Sequence, residues 1–244
     1  MKKILIILSL LVATTFTSQA QFMNFGVRGG AGMGVHVDDL ANNSPILAAN
    51  LGGFVSFGFT NSQSLFFENF WLQTGLNITR RGSHFEEVLE DIVSIREGVY
   101  DAFYVQVPLL ATYRYELPIR EPGHRALISL GPAFSYGLFG SFSDRKSTPG
   151  YPQEDWTYRI ENEPVFDYID PLDVSFLFGV GYEWQDLSVM LQLDYGLLAV
   201  SKSPDALETS QSQSNGNTIN KVKVVPQGNN FALLLTIGYQ FPIR

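Results

Sequence analysis

Apolar and polar residues alternate with a period of two along most of this chain, most cleanly near its C-terminus. In Asn230–Phe241 the odd positions Phe231, Leu233, Leu235, Ile237, Tyr239 and Phe241 are large and apolar. The even positions Ala232, Leu234, Thr236, Gly238 and Gln240 are mostly small or polar. Period two puts the two sets on opposite faces of a β-strand. A strand of about ten residues, tilted and bounded by rings, spans a bilayer. Alone in lipid it would leave backbone donors and acceptors unsatisfied, so it must belong to a closed barrel.

The same pattern predicts seven further strands: Asn24–Val37, Ala48–Phe59, Phe70–Arg81, Tyr104–Leu117, Arg125–Phe142, Asp173–Trp184 and Leu187–Ser201. In the first strand Phe25, Val27, Ala31, Met33, Val35 and Val37 face one way. Gly26, Arg28, Gly30, Gly32, Gly34 and His36 face the other. These glycines lack the spacing of a dinucleotide or phosphate loop, and no helical pattern follows them. They suit an inward face where space is tight. Pro108 and Pro132 fall inside strands, so each predicts a bulge or a missing ladder bond.

The connections alternate in length. They are tight after the fourth and sixth strands, moderate after the second, and long after the third, fifth and seventh. Asp38–Leu47 does not declare its length. Gly82–Asp101 is acidic and carries Phe85, Val88, Leu89 and Ile92 at helical spacing, which fits a short amphipathic helix or a solvated loop equally. Asp144–Pro171 is polar, with Pro149, Pro152 and Pro164, and Lys202–Gly228 is rich in Ser, Gln and Asn. The expectation is an all-β fold: an eight-stranded antiparallel transmembrane up-and-down barrel with short turns on one side and long loops on the other.

Alternation alone does not say which face meets lipid. A soluble eight-stranded barrel keeps its apolar face inside and needs a charged exterior. Here the second face is mostly Gly, Ser, Thr, Ala and Gln, which would dissolve poorly but lines a narrow tube well. The apolar face is therefore expected to be outward, and outer-membrane lipid to be its partner.

The first residues change the picture further. Met1-Lys2-Lys3, the apolar run Ile4–Phe16 and Ser18-Gln19-Ala20 have the parts of a secretory signal peptide, predicting a leader at 1–20 and a barrel domain at 21–244. The formal charge is −8, and losing Lys2 and Lys3 makes it −8 − 2 = −10. Such a charge disfavours nucleic acid as a partner. With no Cys in the chain, neither a disulfide nor an N-terminal lipid anchor on Cys is expected.

Tyr104-Val-Gln-Val-Pro-Leu-Leu-Ala-Thr-Tyr113 resembles the Tyr-x-x-(Ile/Val)-Pro-Leu-Leu-x-x-Tyr strand of the PorT-like outer-membrane β-barrel proteins of Bacteroidota. Gly131–Tyr136, Phe178–Glu183 and Tyr195-Gly196-Leu197 are similar to that family too. Its members often end on the last strand's aromatic, whereas Pro242, Ile243 and Arg244 follow Phe241 here. The resemblance implies an outer-membrane location. One class in the family is similar to a component of a secretion apparatus, but no residue singles that role out here.

The candidate site residues are the inward charges Arg28, Arg114, Glu116, Glu183 and Asp194. An eight-stranded lumen is filled by side chains, and buried charges need partners, so these five are expected to form a structural plug of ion pairs. His36, beside Asp38 and Asp39, is the nearest approach to an acyl-transfer site. No Gly-x-Ser-x-Gly is present, and no nucleophile–base–orienter set can be assembled. The acidic residues of Asp144–Pro171 lack the Asp-x-Asp-x-Asp-Gly spacing of a calcium loop. The expectation is a monomer with no catalytic residue, cofactor or metal, whose outer loops meet a protein or envelope partner. A small transporter or an enzyme at the mouth near His36 is the alternative.

Overall fold

The computed structural model describes residues 22–37, 42–58, 69–89, 94–119, 121–147, 158–167, 169–198, 210–214, 217–221 and 228–241. The proposed leader and the segment Asp38–Asp39 lie outside these. The strands are β1 (Phe22–Val37), β2 (Asn42–Gly58), β3 (Phe70–Leu89), β4 (Ser94–Glu116), β5 (His124–Ser147), β6 (Tyr158–Pro164), β7 (Leu172–Trp184), β8 (Leu187–Gly196), β9 (Ser210–Ser214), β10 (Asn217–Lys221) and β11 (Asn229–Phe241).

Eight of them, β1, β2, β3, β4, β5, β7, β8 and β11, close into an antiparallel barrel. Paired residues can be followed once round the wall. Met23, Phe57, Leu72, Ala111, Leu130, Phe178, Leu193 and Leu233 lead back to Met33. The path re-enters β1 ten residues from where it left (33 − 23 = 10). That stagger across eight strands tilts each by about 40° and leaves a bore that side chains fill.

The outward face is apolar: Leu51 is 69 % exposed, and Met33, Leu76, Ile128, Leu191, Leu235 and Ile237 also point away from the lumen. This is the expected face assignment. Aromatics ring the end that holds the chain termini, with Phe25, Tyr115, Tyr182, Trp184, Tyr239 and Phe241 all exposed. The His124 ring stacks on Trp184 with centroids 6.1 Å apart. The connections at this end are 59–69, 117–123 and the two residues Gln185–Asp186. Gly123 turns there with φ 92°, and its carbonyl accepts from Gln185 N at 2.9 Å.

The loop end departs from expectation. Residues 82–89 and 94–101 are strand, neither helix nor loop: β3 continues to Leu89 and β4 starts at Ser94, pairing from Arg81↔Ala102 to Leu89↔Ser94, while 90–93, with Ile92, lie outside the described residues. The odd positions keep the inward phase of Asn77 and Thr79, so Phe85 enters the interior, where it is 2 % exposed. β6 adds to the edge of β5 within Asp144–Pro171, and β9 and β10 form a small hairpin within Lys202–Gly228. β2 begins at Asn42, which leaves only 38–41 as the first connection. Among the described residues the only helical piece is the 3-10 turn Val165–Asp167.

That turn folds inward. Val165 and Ile169 pack with Phe85, Tyr100, Ala102, Tyr104 and Phe142 into an apolar cap over the loop end of the lumen. Phe85 and Phe142 stack with centroids 6.2 Å apart. Phe142 reaches the cap through a register shift. Phe103 pairs with Phe139 but Tyr104 pairs with Gly137, so Leu138 is an extra residue and both Leu138 and Phe139 point outward. Between Pro108 and Ala111 the β4–β5 ladder lapses without a change of register, and the bulge lies several residues away at Leu138.

Candidate functional site in the lumen

Three arginines and three carboxylates are buried in the lumen among the described residues: Arg28, Arg81, Arg114, Asp173, Glu183 and Asp194. They form two groups. Between them Leu110, Ala133 and Leu177 make an apolar waist on β4, β5 and β7, and Ala48, Ala232 and Leu234 form a second apolar cluster on β2 and β11.

The group nearer the loop end is centred on Arg81. Its Nη1 donates to Asp173 Oδ2 at 2.6 Å and its Nη2 to Asp194 Oδ2 at 2.5 Å. Gln106 Nε2 donates to the same Asp194 oxygen at 3.1 Å, and Asn230 Nδ2 to Asp173 Oδ2 at 3.4 Å. Tyr100 OH donates to Asn230 Oδ1 at 2.5 Å and lies 3.4 Å from His36 Nδ1. The Arg81 guanidinium also lies over the Tyr104 ring, 5.5 Å from its centroid. Five strands are thereby tied across the bore by charge-assisted bonds, which are roughly twice as strong as neutral ones.

The group at the terminus end joins Arg28, Arg114, Glu183, Gln73 and Gln240. Glu183 Oε1 accepts from Arg125 Nη1 at 2.8 Å, and Oε2 accepts from Gln240 Nε2 at 2.7 Å. Arg114 Nη1 donates to Gln240 Oε1 at 3.2 Å and stands 3.8 Å from Glu183. Its guanidinium lies 4.2 Å from the Trp71 ring centroid. Arg28 Nη2 donates to Gln73 Oε1 at 2.6 Å, and its guanidinium lies 4.9 Å from the Phe54 centroid. Gly26 makes room for that phenyl ring, because a Cβ there would overlap it.

Of the inward charges expected from sequence, Arg28, Arg114, Glu183 and Asp194 are in the lumen. Glu116 is not. It has the inward phase but is the last residue of β4, where the wall ends, and it is exposed opposite Arg125. Sequence reasoning missed Arg81 and Asp173, the two ends of the shortest buried bridge after Arg81–Asp194. Both were legible by phase: Arg81 continues Asn77 and Thr79, and Asp173 precedes Ser175 and Leu177 on the same face. His36 is buried beside Tyr100, with ring centroids 5.6 Å apart. Glu163, Asp167 and Asp170 are exposed. Among the described residues no three His, Cys, Asp or Glu gather as a metal set would.

One outward pair is also ionic. Arg80 makes a two-pronged contact with Asp101, Nε to Oδ1 at 2.9 Å and Nη2 to Oδ2 at 2.8 Å. Its guanidinium lies 6.0 Å from the Phe103 centroid, and Phe103 stacks on Phe139 at 4.8 Å.

A closed barrel with a lipid-compatible wall, a ring of aromatics and a filled lumen defines an integral membrane protein of the outer-membrane type. Residues 18–201 match the family described as Outer membrane protein beta-barrel domain, and the chain belongs to that family. It is an outer-membrane β-barrel protein. Three solved structures have similar folds. Ail, the attachment invasion locus protein of Yersinia pestis, is 11 % identical, with 89 % of this chain and 98 % of that chain covered and a TM-score of 0.33. Neisserial surface protein A is 12 % identical, covers 91 % and 100 %, and gives 0.41. OprG from Pseudomonas aeruginosa is 11 % identical, covers 90 % and 96 %, and gives 0.36. No curated protein matches the chain.

Proposed function

We propose that this protein is a PorT-like, non-enzymatic barrel of the outer membrane. In this reading a leader at 1–20 exports it, and the barrel at 21–244 is a monomeric anchor. Both termini face the periplasm, because the short turns of such barrels do. The barrel presents its loop-end segments, Gly82–Asp101, Asp144–Pro171 and Lys202–Gly228, to a protein or envelope partner outside the cell. Loops on a rigid scaffold are where binding residues concentrate. Arg28, Arg114, Glu183 and Asp194 then act as a structural plug, with Arg81 and Asp173 completing it.

The single observation that carries this reading is the occupied bore. Arg81 bridges Asp173 and Asp194, the Leu110–Leu177 waist lies on one side, and the Val165–Ile169 cap covers the other. Buried side chains at three successive heights among the described residues disfavour bulk transport.

Planar-bilayer recording is the test. The refolded barrel should give no steady conductance, and photo-cross-linkers placed at the loop end should capture a partner in intact cells. Steady conductance that disappears on changing Arg114 or Glu183 would replace this reading with a small channel. Hydrolytic or acyl-transfer turnover lost in His36→Ala would replace it with an enzyme.

A further inference from the structure

The buried charges of the described lumen balance overall but not locally. Near the loop end one guanidinium, Arg81, serves two carboxylates. At the terminus end two guanidiniums, Arg28 and Arg114, have only Glu183, and Glu183 is already held by Arg125 at 2.8 Å. Burying a cation without a counter-charge is costly, so buried arginines normally come paired.

Arg28 is the sharper case. Its side chain is inside the barrel, and its hydrogen bond goes to the neutral Gln73. Its Nε is buried with no acceptor, and so is Arg114 Nε. Arg28 rests on Phe54 and Arg114 on Trp71, so a ring face holds each guanidinium plane. The two are neighbours: Arg28 contacts Gln73 and Arg114 contacts Trp71, successive inward-phase residues of β3, and the Arg114 charge acts on Arg28. Two like charges are thus held on neighbouring stretches of the wall, each with a buried Nε that has no acceptor, and the one carboxylate nearby, Glu183, approaches Arg114 and Arg125 but not Arg28. The rim beside them is wet: Arg125 is 37 % exposed, and Asn24, which donates to Gln240 at 3.4 Å, is only half-buried.

We propose that the terminus end of the lumen is a binding site for one small oxyanion, a carboxylate or a phosphate group, held between Arg28 and Arg114. Guanidinium edges match both groups in a two-pronged geometry. The site is independent of whether the barrel anchors a partner, and it does not require a path through the bore, because it is reached from the terminus end.

The full mature barrel, refolded in zwitterionic detergent, is titrated separately with sodium phosphate, sodium acetate and sodium chloride at matched ionic strength. The readouts are the arginine Nε–Hε NMR resonances and the urea midpoint. The expected result is a saturable shift of the Arg28 and Arg114 resonances, with Arg80 on the outer wall unmoved, and a midpoint that rises with the same saturation. A response to phosphate alone assigns a phosphate source, and one to acetate alone a carboxylate source. Arg28→Gln should lose the saturable response and be the more stable protein in anion-poor buffer. If that variant does not fold, the wild-type resonances decide alone. No saturable shift, equal shifts with chloride, or a saturable response that persists in Arg28→Gln would overturn the proposal.

Discussion

Arg81 and Asp194 are 113 residues apart in sequence and meet at 2.5 Å inside the barrel. The same guanidinium reaches Asp173 at 2.6 Å, so one side chain from β3 fastens β7 and β8 from across the bore.

Removing that fastener should be severe. Arg81→Met would leave two buried carboxylates facing each other with no cation, and breaking a buried ion pair typically costs about 3–5 kcal/mol. Asp194→Asn keeps a polar partner for Gln106 and leaves Arg81 with Asp173, so it should cost clearly less. Urea unfolding from lipid vesicles, followed by tryptophan fluorescence, measures both. Equal costs would show that Arg81 is not the centre of the group.

Adjacent residues on β8 test the wall. Leu191 is exposed to the outside and Gln192 is buried in the lumen. Leu191→Arg should destabilise by about 2–4 kcal/mol if Leu191 lies near the bilayer midplane. Gln192→Ala removes no charge and should cost much less. The same unfolding titration compares them, and similar costs would contradict the face assignment.

Gly32 tests the close approach of β1 to β11. A Cβ there would overlap the Leu233 carbonyl, which is backbone and cannot swing aside. Gly32→Val should therefore block closure of the barrel. Heat-modifiability on gel electrophoresis reads this directly: the variant should lack the compact, fast-migrating band that a folded barrel gives.

The cap should open independently of the barrel. Ile169 N donates to Val165 O at 3.1 Å beneath Phe85 and Phe142. Phe142→Ala should open a cavity there and speed exchange of the Ile169 amide. Amides of β8 and β11 should keep their protection, because local openings are drawn from the less stable parts of a fold. Hydrogen exchange resolved by mass spectrometry is the measurement, and uniform loss across all strands would show that cap and barrel unfold together.

Much of this was legible in the sequence, because a membrane barrel writes its two solvents into alternate residues. Val189, Leu191 and Tyr195 point out and Ser188, Gln192 and Asp194 point in, as their order on β8 requires. Three things were not legible. Phe85, Val88, Leu89 and Ile92 satisfy helical spacing, and nothing local reveals that β4 waits alongside to pair with Phe85, Val88 and Leu89. The partner of Arg81 depends on stagger round the whole barrel, which no single segment contains. Glu116 has the right phase but stands past the last rung, and phase does not say where a wall stops.

The extra residue at Leu138 marks a border. Below it on β5, Phe134, Tyr136 and Leu138 point outward while Ser135 and Gly137 point in. Above it the order reverses: Phe142 turns inward, and Ser141 and Ser143 take the outward side. A strand in hydrocarbon is an inside-out protein, and a strand in water is an ordinary one. At the same height the outer wall carries Arg80, Asp101 and the stacked Phe103 and Phe139, charge and ring together as at a lipid–water interface. One inserted residue therefore lets a single unbroken strand obey two opposite solvation rules, and it leaves a waterline drawn in covalent structure.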